Sequence, residues 1–459
     1  MGNKVQKKAA DLGTGSVGKL LFQLALPAIT AQIINVLYNM VDRMYIGHIE
    51  KVGAAALTGV GVTMPVIMAI SAFAALVSMG GAPRASIMMG RKKPEEAERI
   101  LGNCTFTLIL MALLLTILFQ VFGKSILMVF GASENTIAYA FDYMKIYSLG
   151  TIFVQLALGL NAFITAQGFA RISMCTVLIG AICNIILDPI FIFGLHMGVK
   201  GAALATILSQ GISCIWVVRF LLSAQSTLKL KKKNLTFLPS VMLPCIALGV
   251  SPFIMQFTES VVSVSFNTSL LKYGGDVAVG AMTILTSVMQ FSMLPLQGLT
   301  QGAQPITSFN YGAQNLDRVK KVVQILLTSC VVYSVLIWMI SMFFPDILAK
   351  IFTNDTELIR FTTWALRIYM AVSCLFGIQI ACQQTFIALG NAKVSVFLAL
   401  LRKVILLIPL IFILPNFFEN KVMAVFLAEP FADTIAVGTT AILFSIYFKK
   451  MLASMKKTC

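Results

Sequence analysis

The stretch GAPRASIMMG at residues 81–90 has a counterpart in the second half of the chain, AQPITSFNYG at residues 303–312. The two stretches carry Pro, Ser and Gly at the same places: Pro83 and Pro305, Ser86 and Ser308, Gly90 and Gly312. LALPAITAQ at 24–32 and LGVSPFIMQ at 248–256 match at nearly the same separation, with Pro27 opposite Pro252. Several matches at one separation indicate an internal duplication. The sequence therefore predicts two related halves.

Composition places both halves in lipid. Of the 459 residues, 58% are hydrophobic and only 12% are charged, and the mean hydropathy is +0.89. Soluble proteins are typically about 45–50% apolar and about 25% charged. Because this chain has too few polar side chains to cover a water-facing surface, an integral membrane protein is predicted.

Apolar runs that are long enough to cross a bilayer recur along the whole chain. They start near residues 18, 54, 100, 138, 172, 200, 240, 278, 322, 358, 394 and 422. About 20 residues of α-helix span the roughly 30 Å of hydrocarbon, so an all-α fold with twelve transmembrane helices is predicted. The predicted parts are a tail at 1–17, an amino-terminal lobe at 18–222, a linker at 223–239, a carboxyl-terminal lobe at 240–447 and a tail at 448–459.

Each predicted lobe holds six spans, which is an even number. The two lobes therefore enter the membrane in the same orientation, and an axis along the membrane normal relates them. Two pseudo-symmetric six-helix bundles that rock about a shared cavity are typical of secondary transporters.

The net charge of +17 is distributed in short basic clusters between the apolar runs. Every second gap is rich in Lys and Arg, for example at residues 91–93 and 231–233, and the gaps between are poor. This alternation follows the positive-inside rule, which predicts that both termini are cytoplasmic and that the basic loops face anionic lipid. It argues against a nucleic-acid partner. The nine cysteines are scattered singly, which argues against a zinc site or a disulfide framework.

Three motifs carry a family resemblance. YNMVDRMYIG (38–47) lies in the first span, NIILDPIFIFG (184–194) in the fifth and GVKGAALAT (198–206) at the start of the sixth. With twelve spans in two halves, they resemble the multidrug and toxic compound extrusion (MATE) transporters, and most closely the bacterial branch of the staphylococcal exporter and the DNA-damage-inducible homologues. The resemblance implies an antiporter of the bacterial cell membrane that expels cationic amphipathic drugs while H⁺ or Na⁺ runs inward. It is expected to be a monomer with no obligate protein partner and no cofactor beyond the transported ion.

The fifth span carries the sharpest polar group. Asn184 lies one helical turn before Asp188, and Pro189, which lacks an N–H, leaves the carbonyl of Ile185 without its helical partner. A carboxylate, an amide oxygen and a free carbonyl together suit Na⁺ or a shared proton. Alternatively, Asp188 caps a helix that begins at Pro189. The resemblance implies that Asn184 and Asp188 belong to the ion site.

Asp42 in the first span is the second intramembrane acid, and the resemblance implies that it works with Asp188. It also implies a bend at Pro27 and an ion-ligand role for Thr206. The alternatives are an interfacial ion pair of Asp42 with Arg43 and a helix-packing role for Thr206. No permanent metal is predicted; transient Na⁺ binding is predicted at four residues: Asp42, Asn184, Asp188 and Thr206.

Five further polar residues in the spans are candidates for the drug cavity or for a second ion site. Asn35, Asn161 and Glu259 are assigned to the cavity, with interhelical hydrogen bonding as the alternative for the two Asn residues. Glu259 has no basic neighbour in the sequence and matches a carboxyl-terminal lobe glutamate that part of the family uses. Glu429 and Asp433, which flank Pro430, form a candidate second site without evident partners. The alternative is that these three acids are paired or protonated structural groups.

Three other classes of membrane protein fit the sequence less well. A lipid-linked oligosaccharide flippase of the same superfamily needs several basic residues in its cavity for a pyrophosphate, whereas the charges inside these spans are mostly acidic. A membrane prenyl transferase needs a motif such as DDxxD, and the sequence has neither that motif nor a Walker loop, so no enzymatic activity is predicted. A receptor has no evident use for a duplicated bundle with buried acids.

Overall fold

The computed structural model describes residues 10–49 and 52–458, and these residues form helices and loops without a β-strand. The six spans of the first half are Val17–Gly47, Gly53–Gly90, Pro94–Val129, Ile137–Leu149 with Thr151–Ala166, Ala170–Pro189 with the π-helical Ile190–Gly194, and Val199–Leu222. Each begins close to a start that the apolar runs predict. Pro27 lies inside the first span, which continues through it as one helix.

The second half begins with a single 74-residue helix, Pro239–Gly312. At about 1.5 Å per residue such a helix would be roughly 110 Å long, far more than the hydrocarbon thickness of a bilayer. It is broken at Gly275, whose φ of 65° and ψ of −162° are not helical. Residues 239–274 and 275–312 are therefore the seventh and eighth spans.

The remaining helices complete the second half. They are Leu316–Phe343 with Pro345–Lys350, Thr356–Tyr369 with Ser373–Leu375 and Phe376–Ala388, Ala392–Leu400 with Leu401–Leu407, Ile408–Ile413 and Leu414–Asn416, and Lys421–Thr458. The described residues thus contain twelve spans, and the predicted all-α membrane fold is confirmed. Residues 448–458 of the predicted tail continue the twelfth helix, and residues 1–9 of the amino-terminal tail lie outside the described residues.

The duplication is visible in the irregular features of the helices. The fourth span bends by 59° after KIY (145–147), and the tenth bends by 47° after the matching RIY (367–369). The fifth and eleventh spans each contain a π-helical segment, at residues 190–194 and 401–407. The fourth and tenth spans therefore bend at equivalent places, whereas the π-helical segments lie at different places in the fifth and eleventh spans.

Reciprocal glycine contacts join the two halves. A Cβ on Gly90 would lie 2.0 Å from the carbonyl oxygen of Phe309, and a Cβ on Gly312 would lie 2.0 Å from that of Ile87. Gly90 and Gly312 are as many residues apart in the sequence as Ile87 and Phe309 are. The second contact therefore repeats the first with the two halves exchanged. A reciprocal contact of this kind is what a two-fold relation between the halves produces.

The second and seventh spans approach each other as closely. A Cβ on Gly80 would lie 1.8 Å from the carbonyl oxygen of Cys245, and a Cβ on Gly249 would lie 1.7 Å from that of Leu76. Side chains at these positions would keep the helices apart, so glycine is what lets backbone contact backbone.

These contacts lie toward the face of the bundle that carries both described ends of the chain, which is called the terminal face below. Tyr311 and Met451 line one cavity there, and Asn310 donates a hydrogen bond to the carbonyl of Leu12 at 2.8 Å. Residues 10–16, the N-terminal strap, lie across this face. Arg318 of the ninth span donates hydrogen bonds to three strap carbonyls: Leu12 at 3.3 Å, Thr14 at 3.0 Å and Gly15 at 2.7 Å.

The strap also reaches the first half. The N–H of Ala10 donates to the carbonyl of Gly168, in the loop between the fourth and fifth spans, at 3.4 Å. Asp11 accepts hydrogen bonds from the Thr14 hydroxyl at 2.7 Å and the Gly13 N–H at 3.0 Å, and these bonds lower the pKa of Asp11 below its ordinary value. The ionised carboxylate of Asp11 therefore stabilises the turn of the strap at neutral pH. One end of the strap contacts the first half and the other end contacts the second half.

Candidate functional site

Asp188 and Asn184 lie on one face of the fifth span and are both buried. The helix Ala170–Pro189 runs through them, so the interpretation of Asp188 as the cap of a helix that begins at Pro189 is wrong. The Asn184 side chain donates to Asp188 Oδ1 at 3.2 Å. Beyond Pro189, which has no N–H to give the carbonyl of Ile185, the chain widens into the π-helical segment 190–194. Such π segments frequently accompany functional sites.

Asp42 meets Asp188 across the interface of the first and fifth spans. Its side chain is 5% exposed, and its carboxyl group is in hydrogen-bonding contact with that of Asp188, which is fully buried. Arg43 is exposed, and no ion pair joins it to Asp42 in the described part of the chain. Two buried carboxyl groups in contact repel each other when both are ionised, so the pair favours binding of a proton or a cation.

Thr206 completes the group from the sixth span. The Thr206 Oγ1 accepts a hydrogen bond from Asn184 Nδ2 at 3.5 Å, and the Thr206 hydroxyl donates to the carbonyl of Ala202 at 3.0 Å. Three buried side-chain oxygens have no partner among the described residues: Asp42 Oδ1, Asn184 Oδ1 and Asp188 Oδ2. Hard cations take oxygen ligands of this kind, so the donors fit Na⁺ or a shared proton. The structure thus brings together all four residues of the predicted ion site.

Three tyrosines around the acids were not foreseen from the sequence. Tyr143 is buried and its hydroxyl is hydrogen-bonded to Thr206, and its ring stacks on that of Tyr147 with centroids 6.0 Å apart. Tyr38 lies beside Asp42 on the first span. The spacing of Tyr38 and Asp42, one helical turn, was a usable signal, whereas nothing in the sequence relates Tyr143 to the site.

Neither of the two predicted cavity asparagines forms a hydrogen bond with the acids in the described part of the chain. Asn35 is exposed on the first span, and its carbonyl accepts a hydrogen bond from Asn39 at 2.6 Å. Asn161 donates to the carbonyl of Ser173 at 3.3 Å, near the start of the fifth span. Ser173 is about 22 Å along that helix from Asp188. The structure therefore does not bring Asn161 to the acid pair.

The three candidate acids of the second half, Glu259, Glu429 and Asp433, have basic partners. Lys403 donates to Glu259 at 2.9 Å, and Arg402 pairs with Glu429 at 3.2 Å and with Asp433. The expectation that Glu429 and Asp433 lack partners is therefore wrong. Both bases come from the eleventh span, far from the acids in sequence. Their adjacency inside the apolar run LALLRKVILL (398–407) was the available signal.

Comparison with known proteins identifies relatives over nearly the whole chain. The MatE family model matches residues 27–190 and again residues 252–413, which confirms the internal duplication. The multidrug export protein MepA of Staphylococcus haemolyticus (strain JCSC1435) is 26% identical over 403 residues, 88% of each chain. MepA of Staphylococcus aureus (strain N315) is 27% identical over 407 residues, again 88% of each chain.

Solved structures with the same fold cover nearly the whole chain. The MATE multidrug transporter DinF-BH, solved as a complex, is 33% identical, with a TM-score of 0.88 over 97% of this chain and 99% of that one. An outward-facing MATE family transporter of the MOP superfamily also has a TM-score of 0.88, with 20% identity and the same coverage of both chains. The second similarity concerns the fold alone.

Proposed function

Because this chain belongs to the MatE family, the multidrug and toxic compound extrusion transporters, we propose that it is a cation-coupled multidrug exporter. It exchanges cationic amphipathic drugs for H⁺ or Na⁺ across a bacterial cell membrane, with both termini in the cytoplasm. The relatives named above include multidrug export proteins and a MATE multidrug transporter of known structure. The observation that carries the proposal is the contact of buried Asp42 and Asp188 beside three unpaired oxygens.

The acid pair is the coupling device in this proposal. Removing a charge from water into the membrane costs at least about 2.5 kcal/mol even on lenient scales, so a doubly charged pair favours uptake of a positive ion. A proton or Na⁺ bound by Asp42, Asp188, Asn184 and Thr206 lowers the negative charge of the site. The site can then be enclosed in the membrane core while the transporter changes from outward-facing to inward-facing. Release on the cytoplasmic side restores the charged pair. Pro27 and Pro189, each without an N–H, give the first and fifth spans places to bend as the charge changes.

A cationic drug competes for the same charge. The ionised pair attracts the drug. The drug is released when the pair takes up H⁺ or Na⁺, because the site does not bind both cations at the same time. The ring of Tyr38 offers a face for a cation, and exposed Asn35 offers hydrogen bonds on the same helix. Asn161, with an unpaired Oδ1, offers an acceptor deeper toward the terminal face.

Alternating access requires the terminal face to open. With the termini in the cytoplasm, the close glycine contacts and the strap keep the chain closed on the cytoplasmic side, as an outward-facing transporter would be. To release an ion inward, the second span must separate from the seventh and eighth, and the strap must leave one of the halves.

The flippase alternative has less support. Such a protein needs unpaired bases for a pyrophosphate, and the two bases of the eleventh span, Arg402 and Lys403, are both occupied by acids. A polyanionic substrate would have to displace three carboxylates to reach them. We therefore do not propose that activity.

The proposed exchange is tested with purified protein in ethidium-loaded vesicles. An imposed gradient of either protons or Na⁺ is expected to drive ethidium against its own gradient, and vesicles without an ion gradient are expected to reach only equilibrium. The comparison of the two gradients identifies the coupling ion. Ethidium accumulation of the same size with a proton gradient, with a Na⁺ gradient and without a gradient would refute ion coupling.

Arg318→Ala is expected to loosen the strap. The change removes three hydrogen bonds from a charged donor at a partly exposed site, a loss of about 1–2 kcal/mol. Amide hydrogen exchange in residues 10–16 should therefore accelerate about 5- to 30-fold. Lys320→Ala, an exposed change on the same span, is the control. Equal exchange in the two variants would show that Arg318 does not hold the strap.

A further inference from the structure

The second half contains five charged side chains that meet inside the bundle, called the second-half cluster. Its members are Arg402 and Lys403 on the eleventh span, Glu429 and Asp433 on the twelfth, and Glu259 on the seventh. Arg402 bridges the two acids of the twelfth span, while Lys403 holds Glu259. The two bases are adjacent in a π-helical segment, and the side chains of both pair with acids of the cluster.

Charge in the cluster does not balance. Three carboxylates face two bases, which leaves one negative charge in excess. Glu429 and Asp433 have side chains only 3% and 1% exposed, so water does not compensate this excess. Each of them gives one oxygen to Arg402, and the other oxygens, Glu429 Oε2 and Asp433 Oδ2, are buried without a partner among the described residues. A buried, uncompensated charge is costly, so the cluster lacks one positive charge.

The geometry fits a proton better than a metal ion. Only two oxygens are free, whereas hard metal cations take about six or more oxygen ligands, and the guanidinium of Arg402 beside them repels a metal cation. A proton on one carboxyl group needs a single oxygen and makes that group a hydrogen-bond donor to its neighbour. The surrounding charged and titratable groups are Arg402, Lys403, Glu259 and, on the tenth span, Tyr369.

The cluster also has an entrance and a bend. The Glu259 side chain is 55% exposed, whereas Lys403 is 8% exposed, so the cluster reaches the surface of the described chain at Glu259. Pro430 follows Glu429 directly, as Pro189 follows Asp188, and it leaves the carbonyl of Phe426 without a helical partner. A change of charge at Glu429 therefore acts at a point where the twelfth span bends easily.

We propose that Glu429 and Asp433 share one exchangeable proton beside Arg402, which gives the transporter a second proton-binding site in its second half. The inference rests on the proposed function, since the proton is meaningful only in a cation-coupled cycle. When the proton is bound, one carboxyl group is neutral and Arg402 is held by the other alone. When it leaves, both carboxylates hold Arg402, which draws the eleventh and twelfth spans together. A purely structural cluster would keep its proton permanently.

Proton titration of purified protein in detergent tests the exchange directly. Between about pH 5 and about pH 9, above the ordinary range of exposed carboxyl groups, wild type should bind one proton more than Glu429→Gln or Asp433→Asn. Each variant leaves Arg402 with one acid, a neutral pair, so the fold is expected to persist. Glu357→Gln, an exposed acid outside the cluster, is the matched control and should titrate as wild type in this range. Equal titration of wild type and both cluster variants would refute the second site.

The double variant Asp42→Asn/Asp188→Asn separates this inference from the proposed function. It removes the first-half site, so it should lose proton binding there and still bind the proton of the second-half cluster. If the double variant bound no exchangeable proton in the same pH range, the proton would belong to the first half, and the inference would be overturned. In vesicles, Glu429→Gln should export ethidium with a weaker dependence on the pH gradient. Wild-type export without any ion gradient would instead refute the proposed function.

Discussion

Asp188→Asn lowers gradient-driven ethidium export by about 100-fold, the upper range of a coupling free energy of 1–3 kcal/mol. The amide has nearly the shape of the carboxyl group but carries no charge, so the site keeps only the single charge of Asp42 and loses the pair of carboxyl groups that attracts the ion. The hydrogen bond from Asn184 keeps an oxygen acceptor at the same place, so the fold is retained. The expected result is a folded protein that binds drug weakly and no longer exchanges it for an ion. Initial rates of export from vesicles under the coupling gradient measure it.

Controls define what the loss means. Asp276→Asn changes an exposed acid next to the break at Gly275 and should leave export unchanged. Asp42→Asn should match Asp188→Asn, and the double variant should be no worse than either, because residues that act as one unit are not additive. Full export by Asp188→Asn, or losses that multiply in the double variant, would mean that the acids do not act as a pair.

Gly249→Ala prevents the terminal face from closing. The new Cβ would lie 1.7 Å from the carbonyl oxygen of Leu76 and 2.6 Å from its carbonyl carbon, and these are backbone atoms of a long helix that cannot rotate away. The second and seventh spans must therefore separate, which costs about 1–3 kcal/mol or more. We expect a lower thermal midpoint in detergent, faster amide exchange in the strap, and export reduced at least several-fold.

A matched substitution isolates the cause. Gly438→Ala places the same methyl group on the twelfth span, where no atom lies within 4 Å of the new Cβ. Both changes have the same intrinsic effect on a helix, since Ala replaces Gly in each. If the two variants had the same thermal midpoint and the same export rate, the close approach of Gly249 to Leu76 would not control closure.

Much of the fold followed from composition and length. Twelve apolar runs of membrane-spanning length predicted twelve helices, because in lipid each segment must satisfy its own backbone hydrogen bonds. The matches around Pro83 and Pro305 predicted the duplication that the bends of the fourth and tenth spans display. Within one helix the site was also predictable: Asn184 and Asp188 share a face because they lie one turn apart.

The sequence by itself determined which segments cross the membrane, which halves correspond and which polar residues share a helical face, because these depend on length, apolarity and a fixed local period. Only the tertiary structure decided that Asp42 meets Asp188, that Tyr143 contacts Thr206, and that Arg402 neutralises part of the second-half cluster. These contacts join helices that are distant in sequence. Since lipid tails are as apolar as the core, hydrophobicity does not mark the side of a helix that faces its neighbours, and packing of small residues sets the register instead.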